Sequence, residues 1–185
     1  EAARLLLAIA PQGIGRLFFV NSGAEANDNA LKFALAHTRR RVVIAIEGAF
    51  HGRTAATDAV TGDARRSPHF PRAPFEVRWV PFDDHARMRE LLAGDDIGAV
   101  ILEPVQSMAG CRIHSPRMIA AINETCERHG TLVIADEIQG GLGRCLNHWS
   151  LEAIGLRADI VTTAKGLGAG FPVAALLVLT PLGVP

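Results

Sequence analysis

Seven short apolar runs recur along the 185-residue chain, and most of them are continuous rather than alternating with polar residues. Strands that are apolar on both faces are typical of a parallel sheet with helices on both sides. Helical patterns lie between several of the runs, which gives the chain a βαβ rhythm. The sequence therefore predicts an α/β fold of three layers, αβα, around a mostly parallel seven-stranded sheet. The predicted strands are residues 17–20, 41–46, 77–80, 99–102, 131–135, 159–163 and 172–179.

Local signals mark some boundaries of the predicted elements. Ser22 and Glu25 form a Ser-x-x-Glu capping box, which predicts a helix over residues 24–37. Only eight residues separate Thr163 from Pro172, whereas a crossover between parallel strands needs about a dozen or more. We therefore expect the last strand to be antiparallel. Further helices are predicted at 84–92 and 115–129, and a surface loop at 67–74.

Length and composition limit the possible classes of protein. At ~150 residues per domain, the length indicates one domain. Nineteen basic and nineteen acidic residues give zero net charge, so we expect no nucleic-acid partner. The longest apolar run, 171–179, is shorter than the ~20 residues that span a bilayer, so we expect no membrane association. The three cysteines form no C-x-x-C pair and no His/Cys spacing suits zinc, so we expect a reducing compartment, the cytoplasm, and no metal.

Polar and glycine-containing segments directly follow five of the predicted strands. Because ligands of open α/β sheets bind beyond the carboxyl ends of the strands, we expect these segments to meet along one edge of the sheet. Together they offer a helix N-terminus for a phosphate, an aromatic ring, a carboxylate and a lysine, which are the groups that hold pyridoxal phosphate. The segments are NSGAE (21–25), EGAFHGRT (47–54), EPVQ (103–106), DEIQ (136–139) and KG (165–166).

Each segment also has a purely structural interpretation. Ser22 could serve only as a helix cap, and Lys165 could be a solvated loop lysine. Asp136 and its neighbour could form a turn or a metal site, Phe50 could belong to the core, and Glu103 could end a strand. The combination of segments, rather than any one of them, favours the cofactor site.

Five segments, in the same order, resemble the class III aminotransferases of the ornithine and acetylornithine type. The resemblance implies the large domain of a fold type I pyridoxal-phosphate-dependent transferase. It implies an aminotransferase that moves an amino group from an amine or amino acid to a 2-oxo acid such as 2-oxoglutarate, acting as a homodimer. A racemase, mutase or decarboxylase of the same fold, or an inactive fragment, is the alternative. The matching segments are 18–27, 50–54, 103–106, 136–139 with 143–144, and 163–168.

The resemblance also implies a role for each matching residue. Lys165 resembles the catalytic lysine that forms a Schiff base with the cofactor and moves a proton, and Asp136 resembles the partner of the pyridine nitrogen. The other implied roles are the phosphate loop (Ser22, Gly23, Ala24), ring stacking (Phe50, with His51 beside it), the phenolic oxygen (Gln139), a glutamate near cofactor and substrate (Glu103), and a substrate carboxylate contact (Arg53).

The sequence departs from the family pattern in places. Met108 stands where the ornithine-type enzymes have a second glutamate, which is thought to gate a substrate-binding arginine. Cys145 and Leu146 replace the usual Thr-Gly ending of the loop after Arg144. The chain does not begin with Met and ends directly after a predicted strand, so we expect 1–185 to be an incomplete large domain. The N-terminal segment, the small domain and a phosphate-contacting threonine would lie outside it.

Overall fold

The computed structural model describes residues 1–62, 73–180 and 182. The loop predicted at 67–74 lies outside the described residues except for its last two. The strands are β1 (Ile14–Val20), β2 (Val42–Ile46), β3 (Glu76–Val80), β4 (Ile97–Leu102), β5 (Val105–Gln106), β6 (Arg112–Ile113), β7 (Leu132–Asp136), β8 (Ile160–Thr163) and β9 (Ala174–Leu179). The helices are α1 (Ala2–Ala8), α2 (Gly23–Thr38), α3 (Ala55–Ala59), α4 (His85–Leu92), α5 (Pro116–His129) and α6 (Ser150–Ile154), with a 3₁₀ helix at Lys165–Gly168.

Seven strands form one sheet in the order β1-β9-β8-β7-β4-β2-β3. The five strands from β8 to β3 pair in parallel, whereas β9 pairs antiparallel with both β8 and β1. The prediction of seven strands with an antiparallel last strand is therefore confirmed. The short antiparallel pair of β5 and β6 was not predicted, because two-residue strands leave no periodic signal.

The two faces of the sheet bury separate apolar clusters. Alternate residues of β2 divide between them: Val43 and Ala45 face the cluster under α2, while Ile44 and Ile46 face the cluster under α4 and α5. A fully buried isoleucine contributes about 2 kcal/mol, so each face supports its own helical layer. The three-layer αβα arrangement follows directly from this alternation.

The start of α2 differs in one detail from the predicted capping box. The hydroxyl of Ser22 accepts a hydrogen bond from the backbone N–H of Glu25 at 3.3 Å, as predicted. The carboxylate of Glu25 does not return to Ser22; it accepts from the backbone N–H of Asn21 at 2.7 Å and from its side-chain amide at 3.2 Å. The carboxylate of Glu25 binds Asn21 instead of Ser22 because Asn21 offers two donors to one oxygen. The N–H groups of Ser22, Gly23 and Ala24 donate to no acceptor within the described part of the chain.

Candidate active site

A cavity of about 620 Å³ opens at the carboxyl ends of β1, β2, β4, β7 and β8. The structure brings all ten residues predicted for the site to its lining: Ser22, Gly23, Ala24, Phe50, His51, Arg53, Glu103, Asp136, Gln139 and Lys165. Their convergence follows from topology, since each segment leaves its strand at the same edge of the sheet. Ile138 and Phe171, which sequence reasoning missed, also line the cavity.

Asp136 ends β7 and is buried, with three donors around its carboxylate. Oδ2 lies 2.8 Å from Nδ1 of His51 and accepts from Nδ2 of Asn27 at 2.7 Å. Oδ1 accepts from the backbone N–H of Ile138 at 3.1 Å. A carboxylate that is buried with this many donors keeps a fixed orientation.

Asn27 is a buried residue of α2 that the sequence reasoning did not single out. Its Nδ2 donates a second hydrogen bond to the backbone oxygen of His51 at 2.8 Å. Its Oδ1 accepts from Oγ1 of Thr162 at 2.7 Å. The signal was present in the sequence, because Asn27 has the helical spacing of the apolar residues Ala30, Leu31 and Ala34, which form the buried side of α2.

His51 is buried against Asp136, with one ring nitrogen left over. Its Nδ1 faces the carboxylate, so Nδ1 carries the proton when Asp136 is ionised. Its Nε2 has no hydrogen-bond partner among the described residues. An unpaired buried acceptor is costly to leave unsatisfied, and this one belongs to a residue that lines the cavity.

Glu103 follows β4 and is buried in the same cavity. Its Oε2 accepts from the backbone N–H of Phe50 at 3.0 Å. Burial raises the pKa of Glu103 to about 7, and the nearby charge of Asp136 acts in the same direction, while His51, the hydrogen bond from Phe50 and Lys165 oppose it. A carboxyl group with this pKa can hold or release a proton near neutral pH.

Lys165 and Gln139 contact each other across the cavity. Nζ of Lys165 donates to Oε1 of Gln139 at 2.5 Å. Lys165 begins the 3₁₀ helix after β8 and its side chain is exposed. Its amine therefore lies open to whatever enters the cavity, held by a single neutral partner. Arg53 is also exposed, at the rim.

Glycines allow the cavity segments to approach closely. A Cβ at Gly23 would lie 2.7 Å from Cδ1 of Ile138. At Gly52, where φ is +140°, a Cβ would lie 2.8 Å from Cβ of Ala24. The free N–H groups at the start of α2 are thereby held against the segment that carries Phe50 and the segment that carries Asp136.

The alternative metal interpretation of Asp136 and Glu137 does not match the geometry. Glu137 points away from the cavity, where its carboxylate accepts from Oγ of Ser150 and from the N–H of Leu151, both at 2.6 Å. Within residues 1–62, 73–180 and 182, no group of three or more His, Cys, Asp or Glu side chains could hold a metal ion. None of the helices in those ranges is long and apolar enough to cross a membrane.

Met108 lies at a second, smaller cavity of about 430 Å³, which shares Phe50 with the first. Arg112 also lines it, with Nη2 donating to Oε1 of Gln106 at 2.6 Å and its guanidinium 4.1 Å from the ring centre of Phe82. The position that departs from the family pattern is therefore next to the site rather than remote from it.

The sequence matches the model of the aminotransferase class-III family over residues 1–182. The chain belongs to this family. It is 40% identical over 177 residues to the acetylornithine aminotransferase of Methanothermobacter thermautotrophicus, covering 96% of this chain and 45% of that protein. It is 42% identical over 178 residues to the acetylornithine aminotransferase of Methanopyrus kandleri, with the same two shares. The chain thus spans about half the length of the curated relatives it matches.

Solved structures of transaminases share the fold. The β-phenylalanine aminotransferase of Variovorax paradoxus superposes with a TM-score of 0.86 at 32% identity, covering 98% of this chain and 40% of that one. An (S)-enantioselective ω-transaminase of Thermomicrobium roseum gives a TM-score of 0.86 at 27% identity, covering 98% and 46%. The predicted family and fold class are confirmed.

Proposed function

We propose that the chain is the cofactor-binding part of a pyridoxal-phosphate-dependent aminotransferase. It would move an amino group from an amine or amino acid to a 2-oxo acid such as 2-oxoglutarate. The observation that carries the proposal is that one cavity combines an accessible lysine, a buried carboxylate with three donors and an unpaired helix N-terminus. Membership of the class-III family supports it.

The residues of the cavity fit pyridoxal phosphate. The free N–H groups of Ser22, Gly23 and Ala24 at the N-terminus of α2 would hold its phosphate. Asp136 would pair with its protonated ring nitrogen, and Phe50 would lie against its ring. When bound, the cofactor supplies an electron sink for the negative charge that develops on the reacting carbon of the substrate.

The remaining side chains of the cavity would orient groups and move protons. Lys165 would bond covalently to the cofactor through Nζ and, once released by substrate, carry a proton to and from the reacting carbon. Gln139 would exchange its contact with Lys165 for one with the phenolic oxygen of the cofactor. Glu103, with its pKa near 7, would hold a proton beside the cofactor and substrate. Arg53 at the rim would bind a substrate carboxylate.

The donor and the assembly belong to the same proposal. Two relatives are named acetylornithine aminotransferases, so N-acetylornithine and ornithine are the first donors to test. We propose that residues 1–185 form an incomplete large domain, that the complete enzyme is a homodimer, and that it works in the cytoplasm. The 45% share of the relatives' length supports the first of these statements.

Borohydride trapping tests the lysine and the cofactor together. We expect reduction in the presence of pyridoxal phosphate to add the mass of the cofactor to the peptide that contains Lys165, and Lys165→Ala to abolish the adduct. Equal trapping in both proteins would refute the assignment of Lys165. Formation of glutamate from 2-oxoglutarate, across a panel of donors, then tests the reaction. Cofactor bound without any amino transfer would favour a racemase, mutase or decarboxylase.

A further inference from the structure

We propose that Asn27 positions Asp136 for the ring nitrogen of the cofactor, and that Thr162 holds the amide of Asn27 in the orientation this requires. This inference rests on the proposed function and extends it to two residues outside the cavity lining. Both side chains are completely buried, at 0% exposure. Neither can touch solvent, so their hydrogen bonds must be made within the protein.

The polarity of the hydrogen bonds permits only one orientation of the amide. The hydroxyl of Thr162 donates to Oδ1 of Asn27, so the oxygen faces β8 and the amino group faces Asp136. The two amide hydrogens then go to Oδ2 of Asp136 and to the backbone oxygen of His51. An amide turned by 180° would bring its oxygen against two other acceptors, Oδ2 of Asp136 and the backbone oxygen of His51, and would lose both hydrogen bonds that Asn27 donates. In the observed orientation the Thr162 hydroxyl supplies the donor for the amide oxygen, so every polar atom of the buried amide is paired.

Asn27 acts on the carboxylate that the proposed function places against the ring nitrogen. Oδ2 of Asp136 forms hydrogen bonds with Nδ2 of Asn27 at 2.7 Å and with Nδ1 of His51 at 2.8 Å. Together these two bonds fix the rotation of the carboxylate. Asn27 is uncharged and cannot give up a proton near neutral pH, so its contribution to that rotation does not change when groups in the cavity titrate.

The position of Asn27 on α2 links three parts of the site. The helix begins at Gly23, beside the N–H groups proposed for the phosphate, and Asn27 lies four residues later, about 6 Å along the helix axis. The hydrogen bond from Asn27 to the backbone oxygen of His51 fixes the position of His51, the residue that directly follows Phe50 in the sequence. One side chain of one helix thus sets Asp136 and the ring-stacking segment relative to the phosphate end.

Cofactor binding distinguishes this role from a merely structural one. The variants are Asn27→Ala and the gentler Thr162→Val. The matched control is Thr163→Val on the same strand, because Thr163 is 1% exposed and its hydroxyl has no partner among the described residues. Affinity is measured for pyridoxal phosphate and for its analogue in which a C–H group replaces the ring nitrogen.

We expect Asn27→Ala to weaken binding of pyridoxal phosphate by about tenfold, Thr162→Val by less, and Thr163→Val not at all. The analogue cannot bond to Asp136 through a ring nitrogen, so all four proteins should bind it about equally. An equal loss for both compounds would mean that Asn27 only supports the fold. No loss for either compound would overturn the inference.

A cofactor-free measurement separates failure of this inference from failure of the proposed function. The Nδ1 proton of His51, buried against Asp136, is expected as a slowly exchanging downfield NMR resonance. Asn27→Ala should shift or broaden it, because the carboxylate gains freedom, whereas Thr163→Val should not. If the chain binds no pyridoxal phosphate, the proposed function fails while this resonance still decides the role of Asn27. An unchanged resonance in Asn27→Ala overturns it.

Discussion

Glu103 is the residue of the site whose ionisation is most clearly altered by the fold. Its pKa is raised to about 7, chiefly by burial, from 4.5. Above pH 4.5 the unfolded chain gains from ionising this group, but the folded chain does not until pH 7. The wild type therefore loses stability as the pH rises through this window, and it keeps its full stability below it.

Substitution of Glu103 by glutamine, a side chain of nearly the same shape, tests this pH dependence of the stability. The glutamine side chain cannot ionise, and its oxygen can still accept from the N–H of Phe50. We expect the unfolding free energy of Glu103→Gln, relative to wild type, to rise by up to about 3 kcal/mol between pH 4.5 and pH 7. Denaturant titrations at several pH values measure this difference. A difference that stays flat across the window would contradict the raised pKa.

Leu146 has a backbone conformation that is unfavourable for a leucine. Its φ of +76° is in the left-handed region that favours glycine. Its side chain is 97% exposed, so it gains nothing from burial in return. We expect Leu146→Gly to stabilise the chain by up to about 1 kcal/mol, measured by thermal unfolding.

Leu5 provides the matched control for that substitution. It is also exposed, at 55%, but it lies inside α1, where glycine weakens the helix. Leu5→Gly should therefore lower the unfolding free energy by about 1 kcal/mol. If both substitutions destabilise alike, backbone strain at Leu146 is not the cause.

The elements of this fold differ in how far their sequence determines them. The seven strands of the main sheet were predictable because each contains an apolar run, which the sheet buries almost completely in β2, β4, β7, β8 and β9. Helix α5 was predictable because Ser115, Pro116 and Gly130 mark both of its ends. The short helices α3 and α6 were not predicted, since five residues carry too few turns for a period. The pairing of β5 and β6 depends on contacts made only after folding.

The candidate site shows the same limit at the level of contacts. Strand ends located ten of its lining residues, because topology alone brings them to one edge. Which partner each side chain takes was not predictable: Glu25 bonds to Asn21 rather than Ser22, and Gln139 bonds to Lys165. Asn27 and Thr162 are 135 positions apart and meet only because α2 packs across β8. The spacing of residues along the sequence does not predict such a contact.

The surface of the whole molecule bears on the proposed homodimer. Phe171 lines the mouth of the cavity with 74% of its surface exposed, and Phe18 on the edge strand β1 is also exposed. Large apolar side chains exposed near a site are typical of surfaces that a partner covers. In the proposed homodimer, we expect a second copy of the chain to cover Phe171 and Phe18.

Sedimentation analysis of the chain and two variants tests this assembly. We expect the wild type to sediment as a species of twice 19.7 kDa, about 39 kDa. Phe171→Ser should shift the population toward 19.7 kDa at equal concentration, because it removes apolar area from the interface. Leu146→Ser removes an even more exposed leucine from another loop and should leave the distribution unchanged. A wild type that sediments at 19.7 kDa over the whole concentration range would exclude the homodimer for residues 1–185.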